Sequence, residues 1–581
     1  MFRIGRKYLQ PGAVILAVLF LVVQVAADLS LPTITSDIIN NGIAKQDLTY
    51  IWHMGGIMLA VAIAGITGAV INVYFASTQS QRLGMKLRSA LFEKVTDMDV
   101  SAVDKFGNAT LITRTTNDVT QLQNVFQTAL RMMLMSPIML VGAMIMSVKL
   151  DGRLMLVFAF ALPLLGIAVL INMLISIPRF KVMQTKVDKI NLIFQQGLTG
   201  VRVIRAFNRD AYETDKFSAA NRDLTHTARI VFTTVAMMMP IMTVILSFTN
   251  VGIIWFGAKL IGQGVMPVGN LVAFLTYATQ ILMSFVQLSM VIVLIPRAQA
   301  SADRINAVMD EKTGINDADQ TIAIPTAPIS LAFDHVGYRF GDAKRMALQD
   351  VSFTATAGST LAIVGGTGSG KSTFVNLIPR LVDASEGTIY INGVDAKQVS
   401  QHDLHADIAI TQQKAVLFTG TVRSNLLFGE PDATDDQLWE ALEIAQAADF
   451  VREQGGLDME VQQDGANFSG GQRQRLAIAR TLIKQANVYV FDDSFSALDF
   501  ATDARLRTAI NQSPRFKDAI KVIIAQRVST VMEADQILVV DNGRMVGLGD
   551  HRTLAKNCPA YQEIVESQLS AADLKEVGLH A

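Results

Sequence analysis

The sequence predicts a multidomain chain, an all-helical membrane domain of six spans followed by a soluble α/β domain. Three observations predict it. Long apolar runs dominate up to about Ile295. From about Leu331 onward, charges, glycines and short apolar stretches alternate as in soluble α/β proteins. The length of 581 residues also exceeds what one domain usually holds.

Six apolar stretches are long enough, or nearly so, to cross a bilayer: Gly12–Leu31, Gly55–Ala76, Met132–Val148, Leu154–Ile177, Ile230–Ala258 and Leu271–Ile295. Arg3, Arg6 and Lys7 before the first run resemble the start of a secretory signal. The run is longer than an h-region of roughly 7 to 15 residues, and no small-residue cleavage pattern follows Asp28, so a retained first span is expected. The first, third and fifth connections are short and hold few basic residues: Lys45, then Lys149 and Arg153, then Lys259. The second carries Arg82, Lys86, Arg88, Lys94, Lys105 and Arg114; the fourth carries Arg179, Lys181, Lys186, Lys189, Arg202, Arg205 and Arg209. The positive-inside rule then puts both long loops, the N-terminus and the soluble domain in the cytosol. Trp52 and Trp255 fall where an outer aromatic belt would sit.

Apolar residues recur at helical spacing in both long loops, through Leu87, Leu91, Phe92 and Val95 and through Val203, Ile204 and Phe207. Helical stalks are expected, with turns near Asp97–Phe106 and Gly200–Asp210 that either dock on a soluble domain or close a solvated hairpin. A net charge of −1 offers no basic field for nucleic acid, which is excluded as a partner. Cys558 is the only cysteine, so no intrachain disulfide forms, and it reads as a small packing residue.

The soluble half carries phosphate chemistry. Leu361–Gly365 reads as a buried strand, and Gly365, Gly366, Thr367, Gly368, Ser369, Gly370, Lys371, Ser372 and Thr373 fit G-x-x-x-x-G-K-[ST]. Such glycines let backbone amides wrap the phosphates of ATP, while Lys371 reaches the β- and γ-phosphates and Ser372 gives an oxygen to Mg²⁺. A second strand, Val488–Asp493, ends in two carboxylates, of which Asp492 is placed to hold Mg²⁺ through water.

Phe468–Leu482, FSGGQRQRLAIARTL, resembles the signature motif of ABC transporters and precedes the carboxylate strand as in that family. The resemblance implies a six-helix transmembrane domain of the exporter type, an α/β P-loop NTPase nucleotide-binding domain, and function as half of a dimer. It implies that Ser469, Gly470, Gly471 and Gln472 present a hydroxyl and amides to ATP held by the other subunit. It also makes Gln413 the Q-loop glutamine, near Mg²⁺ and the reacting water, Ser496, Ala497, Leu498 and Asp499 the D-loop, and Phe340 the aromatic that stacks on adenine. The expected layout is a membrane domain at 1–310, a linker at 311–330, the nucleotide-binding domain at 331–565 and a tail at 566–581.

Two positions depart from the family. A glutamate general base normally follows the Mg²⁺ aspartate, and here it is Asp493; a switch histidine is normal where this chain has Gln526. Aspartate withdraws the carboxylate by about 1 Å, and a misplacement of that size can cost on the order of 100-fold in rate. Glutamine still donates a hydrogen bond but carries no proton or charge. VQQDGAN, just before the signature, also lacks the V-G-E-R-G pattern common in these exporters. Drift in a working homodimer is one reading. The other is the degenerate-site subunit of a heterodimeric bacterial multidrug exporter, which would hydrolyse mainly at the site built from the partner's Walker motifs.

Methionines at 132, 133, 135, 139, 144 and 146 and at 237, 238, 239 and 242 suit a polyspecific greasy cavity or plain packing. Asp28 is an intramembrane acid, a candidate for cation recognition or an outer gate, or an acid paired within the bundle. The expected activity is ATP-driven export of hydrophobic or amphipathic small molecules across the lipid bilayer of a bacterial plasma membrane. Export of lipid or peptide, and ATP-binding regulation without transport, are the alternatives.

Overall fold

The computed structural model describes residues 1–312, 314–341 and 343–568. From 569 on, the expected C-terminal tail lies outside the described residues. The chain separates into two compact units. The first holds Met1–Thr96 and Phe106–Glu311, and the second holds Asp97–Lys105 and the chain from Lys312.

In the first unit, six helices are long and apolar enough to cross a membrane: Pro11–Ile43, Leu48–Thr96, Asn108–Leu150, Met155–Thr199, Asp210–Gly262 and a window of Val268–Leu288 within the helix Val268–Met309. Several run far past the apolar stretches, because the flanking sequence keeps the same helical period. Leu83, Leu87 and Leu91 are fully buried at four-residue spacing in the extension of the second helix. Within its apolar part that helix exposes Leu59, Ile63, Ile66 and Val70 on one side and buries Gly65, Gly68 and Asn72 on another. The exposed stripe is the face that lipid solvates.

The buried glycines set how close the first two helices come. A Cβ at Gly68 would stand 2.9 Å from the Phe20 carbonyl oxygen, and one at Gly65 would stand 2.9 Å from the Ala27 methyl. Asn72 satisfies backbone across the bundle, donating to the carbonyls of Ala17 at 2.8 Å and Leu130 at 3.3 Å. Asp118 joins the third helix to the sixth, accepting from Arg304 Nε at 2.8 Å and Ser301 Oγ at 2.9 Å. The methionines divide. Met139 and Met242 are buried, Met144, Met146 and Met238 pack against apolar clusters, and Met132, Met237 and Met239 are exposed.

The second unit is built on a ten-stranded sheet. In spatial order its strands are Val394–Asp395, Glu386–Ile391, Ser330–Tyr338, Leu348–Thr356, Arg544–Gly549, Gln536–Asp541, Thr360–Gly365, Ile520–Ile524, Val488–Asp492 and Ile408–Thr411. The last five are mutually parallel. Val488–Asp492 and Ile520–Ile524 are buried at every position, as strands covered on both faces must be. Two apolar clusters pack the sheet, one around Phe333, Phe353 and Phe374 and the other around Phe491, Leu482 and Leu506. The segment from Asn316 to Pro325 lies along this unit, its carbonyls at Asn316 and Pro325 accepting from Arg380 and Asn392 and the Asp317 carboxylate from the Gln401 amide.

The turn Asp97–Lys105 is part of this unit. Asp99 accepts from the Ala102 amide at 2.7 Å, starting the short helix Val100–Phe106, and from the Gly314 amide at 2.6 Å. The other long connection turns through the helix Val201–Ala206, in the first unit.

Candidate functional site

Parallel strands carry their side-chain chemistry at the carboxyl edge, where the chain leaves for the next helix. Here that edge brings four separate pieces of sequence together. Thr360–Gly365 ends in the glycine-rich loop, Val488–Asp492 in the two carboxylates, Ile408–Thr411 two residues before Gln413, and Ile520–Ile524 two residues before Gln526. The register aligns Ile524 with Asp492 and with Ile363.

In the loop, Gly368 and Gly370 take φ of 80° and 107°, values that glycine adopts without a Cβ penalty. Gly365 is fixed by packing, since a Cβ would stand 2.2 Å from the Val540 carbonyl oxygen. Gly370 caps the helix Lys371–Leu377. The Lys371 ammonium folds back on its own loop and donates to the carbonyls of Gly365 at 2.8 Å and Gly366 at 2.7 Å. Burial pushes its pKa down, against the pull of Asp493 and Asp492.

Asp492 is 9% exposed at the strand end. Burial pushes its carboxyl up, and the neighbouring Asp493 charge adds to that. Asp493 follows with φ of 45°, its amide bonded to the Ile524 carbonyl at 2.8 Å. One of its oxygens, Oδ2, accepts from two side-chain amides, Gln526 Nε2 at 3.1 Å and Gln413 Nε2 at 3.4 Å. Burial pushes the Asp493 carboxyl up, against the hydrogen bonds of Ser496 and Gln413 and the charges of Lys371 and Arg527.

Ser469 caps the helix Gly470–Ile483 in a reciprocal box. Its hydroxyl accepts from the Gln472 amide at 3.3 Å, and Gln472 Oε1 accepts from the Ser469 amide at 2.9 Å. As an acceptor there, the hydroxyl keeps its own proton to donate. Asp499 caps the next helix, Phe500–Gln512, by accepting from the Thr502 amide. The Ala497 carbonyl lies 3.4 Å from where a Cβ at Gly471 would stand, so D-loop backbone and signature are neighbours. Among the described residues no hydrogen bond joins Ser469 or Gln472 to Lys371, Asp492 or Asp493. Phe340 is 53% exposed and sits edge-on to Tyr338 at 4.8 Å. Its hairpin closes through the Ala347 amide on the Tyr338 carbonyl, and the Ala347 carbonyl abuts Gly370.

Two further residues belong to this edge and lie outside the motifs. Arg527 donates to the D-loop carbonyls of Ser496 at 2.9 Å and Leu498 at 3.3 Å. Gln568 braces the Gln526 turn, donating to the Gln526 carbonyl at 2.7 Å and accepting from the Val528 amide at 2.9 Å. Adjacency to Gln526 is the one sequence signal for Arg527; nothing in the sequence points to Gln568.

The site fits a nucleotide with Mg²⁺. A Cβ at Gly366 would meet nothing within 4 Å and its φ is not positive, so neither packing nor backbone demands glycine there; the close approach of a phosphate would. Ser369 Oγ is buried without a hydrogen-bond partner. Two carboxylates, Asp492 buried and Asp493 half-buried, are both pushed up by burial beside Lys371, a pairing that a divalent cation would relieve.

Known proteins bear on this geometry. A family description, "ABC transporter transmembrane region", matches residues 14–285, and a second, "ABC transporter", matches residues 348–496. An uncharacterized ABC transporter ATP-binding protein of Mycobacterium tuberculosis is 39% identical over 580 residues, covering 99% of both chains. The chain belongs to the ABC transporter family. Other ABC relatives include the uncharacterized YfiB of Bacillus subtilis, 33% identical over 97% of this chain and 98% of that one. An ATP-dependent lipid A-core flippase of Hahella chejuensis is 29% identical over 89% of each. A solved bacterial Atm1-family ABC exporter with ATP bound superposes with a TM-score of 0.78 over 96% of this chain and 98% of the other; at 24% identity the likeness is one of fold. This ABC transporter is thus a multi-pass membrane protein with a transmembrane region fused to an ATP-binding domain, in the fold of a half-size exporter. Exporters of this family work as dimers.

Proposed function

We propose that the chain is the subunit of a heterodimeric exporter whose own ATP site binds nucleotide well and hydrolyses it slowly, and that the cargo is amphipathic or hydrophobic. The observation carrying this reading is the Asp493 carboxylate, one methylene short and tethered by the amides of Gln413 and Gln526. A general base must be free to accept a proton from the attacking water within hydrogen-bond reach. Two amide donors occupy Oδ2, one of the oxygens that would take the proton, so that oxygen is engaged even though burial raises the carboxyl's pKa, and Gln526 cannot take a charge.

The binding residues keep their roles. The loop amides and Lys371 hold the phosphates, and Phe340 presents a ring for the base. Ser372, Gln413 and Asp492 would hold Mg²⁺, which when bound neutralises phosphate charge. Ser469 and the amides of Gly470 and Gly471 offer donors to a terminal phosphate held by the partner, where such donors stabilise developing charge. Among the described residues no hydrogen bond joins the signature to Lys371, which accords with a site completed by a second subunit. The distribution of basic residues supports a cytosolic N-terminus and ATP-binding domain in a bacterial plasma membrane. A lipid cargo is the second reading, favoured by the relative described as a lipid A-core flippase.

Nucleotide occupancy tests the proposal. The complex, purified with whatever chain accompanies it, is loaded with ATP labelled at the γ-phosphate and at the base and followed through turnover. ATP should persist at this chain's Lys371 site while the other site cycles, and mass spectrometry should find a second, different half-transporter. Equal loss of γ-label from both sites, or a complex of this chain alone, overturns the reading.

A further inference from the structure

The six apolar stretches contain one Asp, Glu, Lys or Arg among them, and it is Asp28. It stands seventeen residues beyond Pro11, about 26 Å along the first helix at 1.5 Å per residue, with apolar turns on both sides. A carboxylate at such a depth is costly unless a proton or a cation accompanies it. Among the described residues no Lys, Arg or His forms an ion pair with Asp28.

What surrounds it is polar. Gln24, one turn earlier, gives its side chain a neutral hydrogen-bond donor. Gly65 of the second helix packs beside it, a Cβ there standing 4.0 Å from Asp28 Oδ1. From the sixth helix, Gln280 uses its Nε2 to bond the Asp28 carbonyl at 3.2 Å, which commits its donor group to backbone. The other end of that amide, Gln280 Oε1, is buried and has no hydrogen-bond partner. Three helices therefore meet at one level of the membrane domain and bring there a carboxyl group and a buried, unsatisfied carbonyl oxygen. The first has no ion-pair partner among the described residues and the second has no donor, and one charged donor would supply both.

We propose that Asp28 and Gln280 form a recognition site for a protonated amine on the exported molecule, the ammonium pairing with the carboxylate and donating an N–H to Gln280 Oε1. The inference rests on the reading of an amphipathic cargo and narrows it to cationic amphiphiles. A protonated amine answers both acceptors at once, whereas a quaternary ammonium supplies charge without a donor and a neutral isostere supplies neither.

Binding distinguishes this site from transport as such. The purified full-length complex in nanodiscs is titrated with a fluorescent tertiary-amine amphiphile, its quaternary analogue and its neutral isostere, and efflux of each is measured separately in vesicles. The amine should bind roughly tenfold or more tighter than the isostere, with the quaternary analogue between them. Asp28→Asn should remove that preference, Asp28→Glu should restore most of it, and Gln280→Met should collapse the difference between tertiary and quaternary forms. Equal binding of all three probes to the unaltered complex, or an unchanged preference in Asp28→Asn, overturns the site. Should Asp28→Asn fail to accumulate, the three-probe comparison on the unaltered protein decides alone. Preferential binding without efflux would leave the site standing and overturn the export of amphiphiles.

Discussion

Asp493 combines two constraints that act on different atoms. Its backbone is held left-handed by the bond to Ile524, a conformation that costs a non-glycine residue about 1–2 kcal/mol and that aspartate tolerates better than most. Its side chain is held by Gln413 and Gln526 through one oxygen. If the site is slow as proposed, lengthening the side chain alone should therefore restore only part of its hydrolysis. Asp493→Glu should raise hydrolysis at this site modestly, and Asp493→Glu with Gln526→His should raise it further. Single-turnover hydrolysis with the partner's own site inactivated reads the effect; no change in either variant would mean that base placement is not limiting. At this scale the sequence was informative about residue identities, because the P-loop and signature are contiguous in the chain. The pairing of Gln413 with Asp493 spans eighty residues and exists only once the parallel strands are in register, so no local pattern announced it.

Among the elements, the short helix Val100–Phe106 depends on one carboxylate. Partial burial pushes the Asp99 carboxyl up, but the bonds from Ser101, Ala102 and Gly314 outweigh it and hold the group below the ordinary aspartate range. An acid with a lowered folded pKa adds stability that is complete above its unfolded value and is lost as pH falls through the folded one. The Ala102 and Gly314 amides should accordingly exchange slowly at neutral pH and lose protection as pH falls below the usual aspartate value. Asp99→Ala should remove that pH dependence and cost the turn about 1 kcal/mol, as other N-cap losses do, with exposure trimming the figure. Hydrogen exchange with mass spectrometry checks both; a pH profile unchanged by the substitution would refute the assignment. Element boundaries were the least legible feature. Apolar content marks where a helix meets lipid, while the helices themselves continue as long as Leu83, Leu87 and Leu91 keep one face buried.

For the molecule as a whole, the division of labour between the P-loop and the signature makes the three substitutions separable. Ser469→Ala should cripple turnover of the complex, since a hydroxyl aimed at developing phosphate charge is typically worth about 3 kcal/mol. Asp493→Asn should cost far less, a poorly placed base having little rate to lose. Lys371→Ala should weaken ATP binding at this chain's site and slow turnover without abolishing it. Steady-state ATPase and dye efflux of the purified complex distinguish these, and Asp493→Asn as severe as Ser469→Ala would make this chain's own site the catalytic one. The two-part architecture was legible because lipid and water demand opposite compositions.

The brace that Gln568 lays across the Gln526 turn has a practical side. Both ends of one side chain, 42 and 40 residues further along the chain, are spent on the backbone of Gln526 and Val528. A protein truncated before Gln568 releases that turn, so enzymology done on the shortened form would measure a different enzyme. The same lever serves the engineer: an environment-sensitive fluorophore placed at Ser567, next to the brace, becomes an optical gauge of the switch that needs no label inside the nucleotide site.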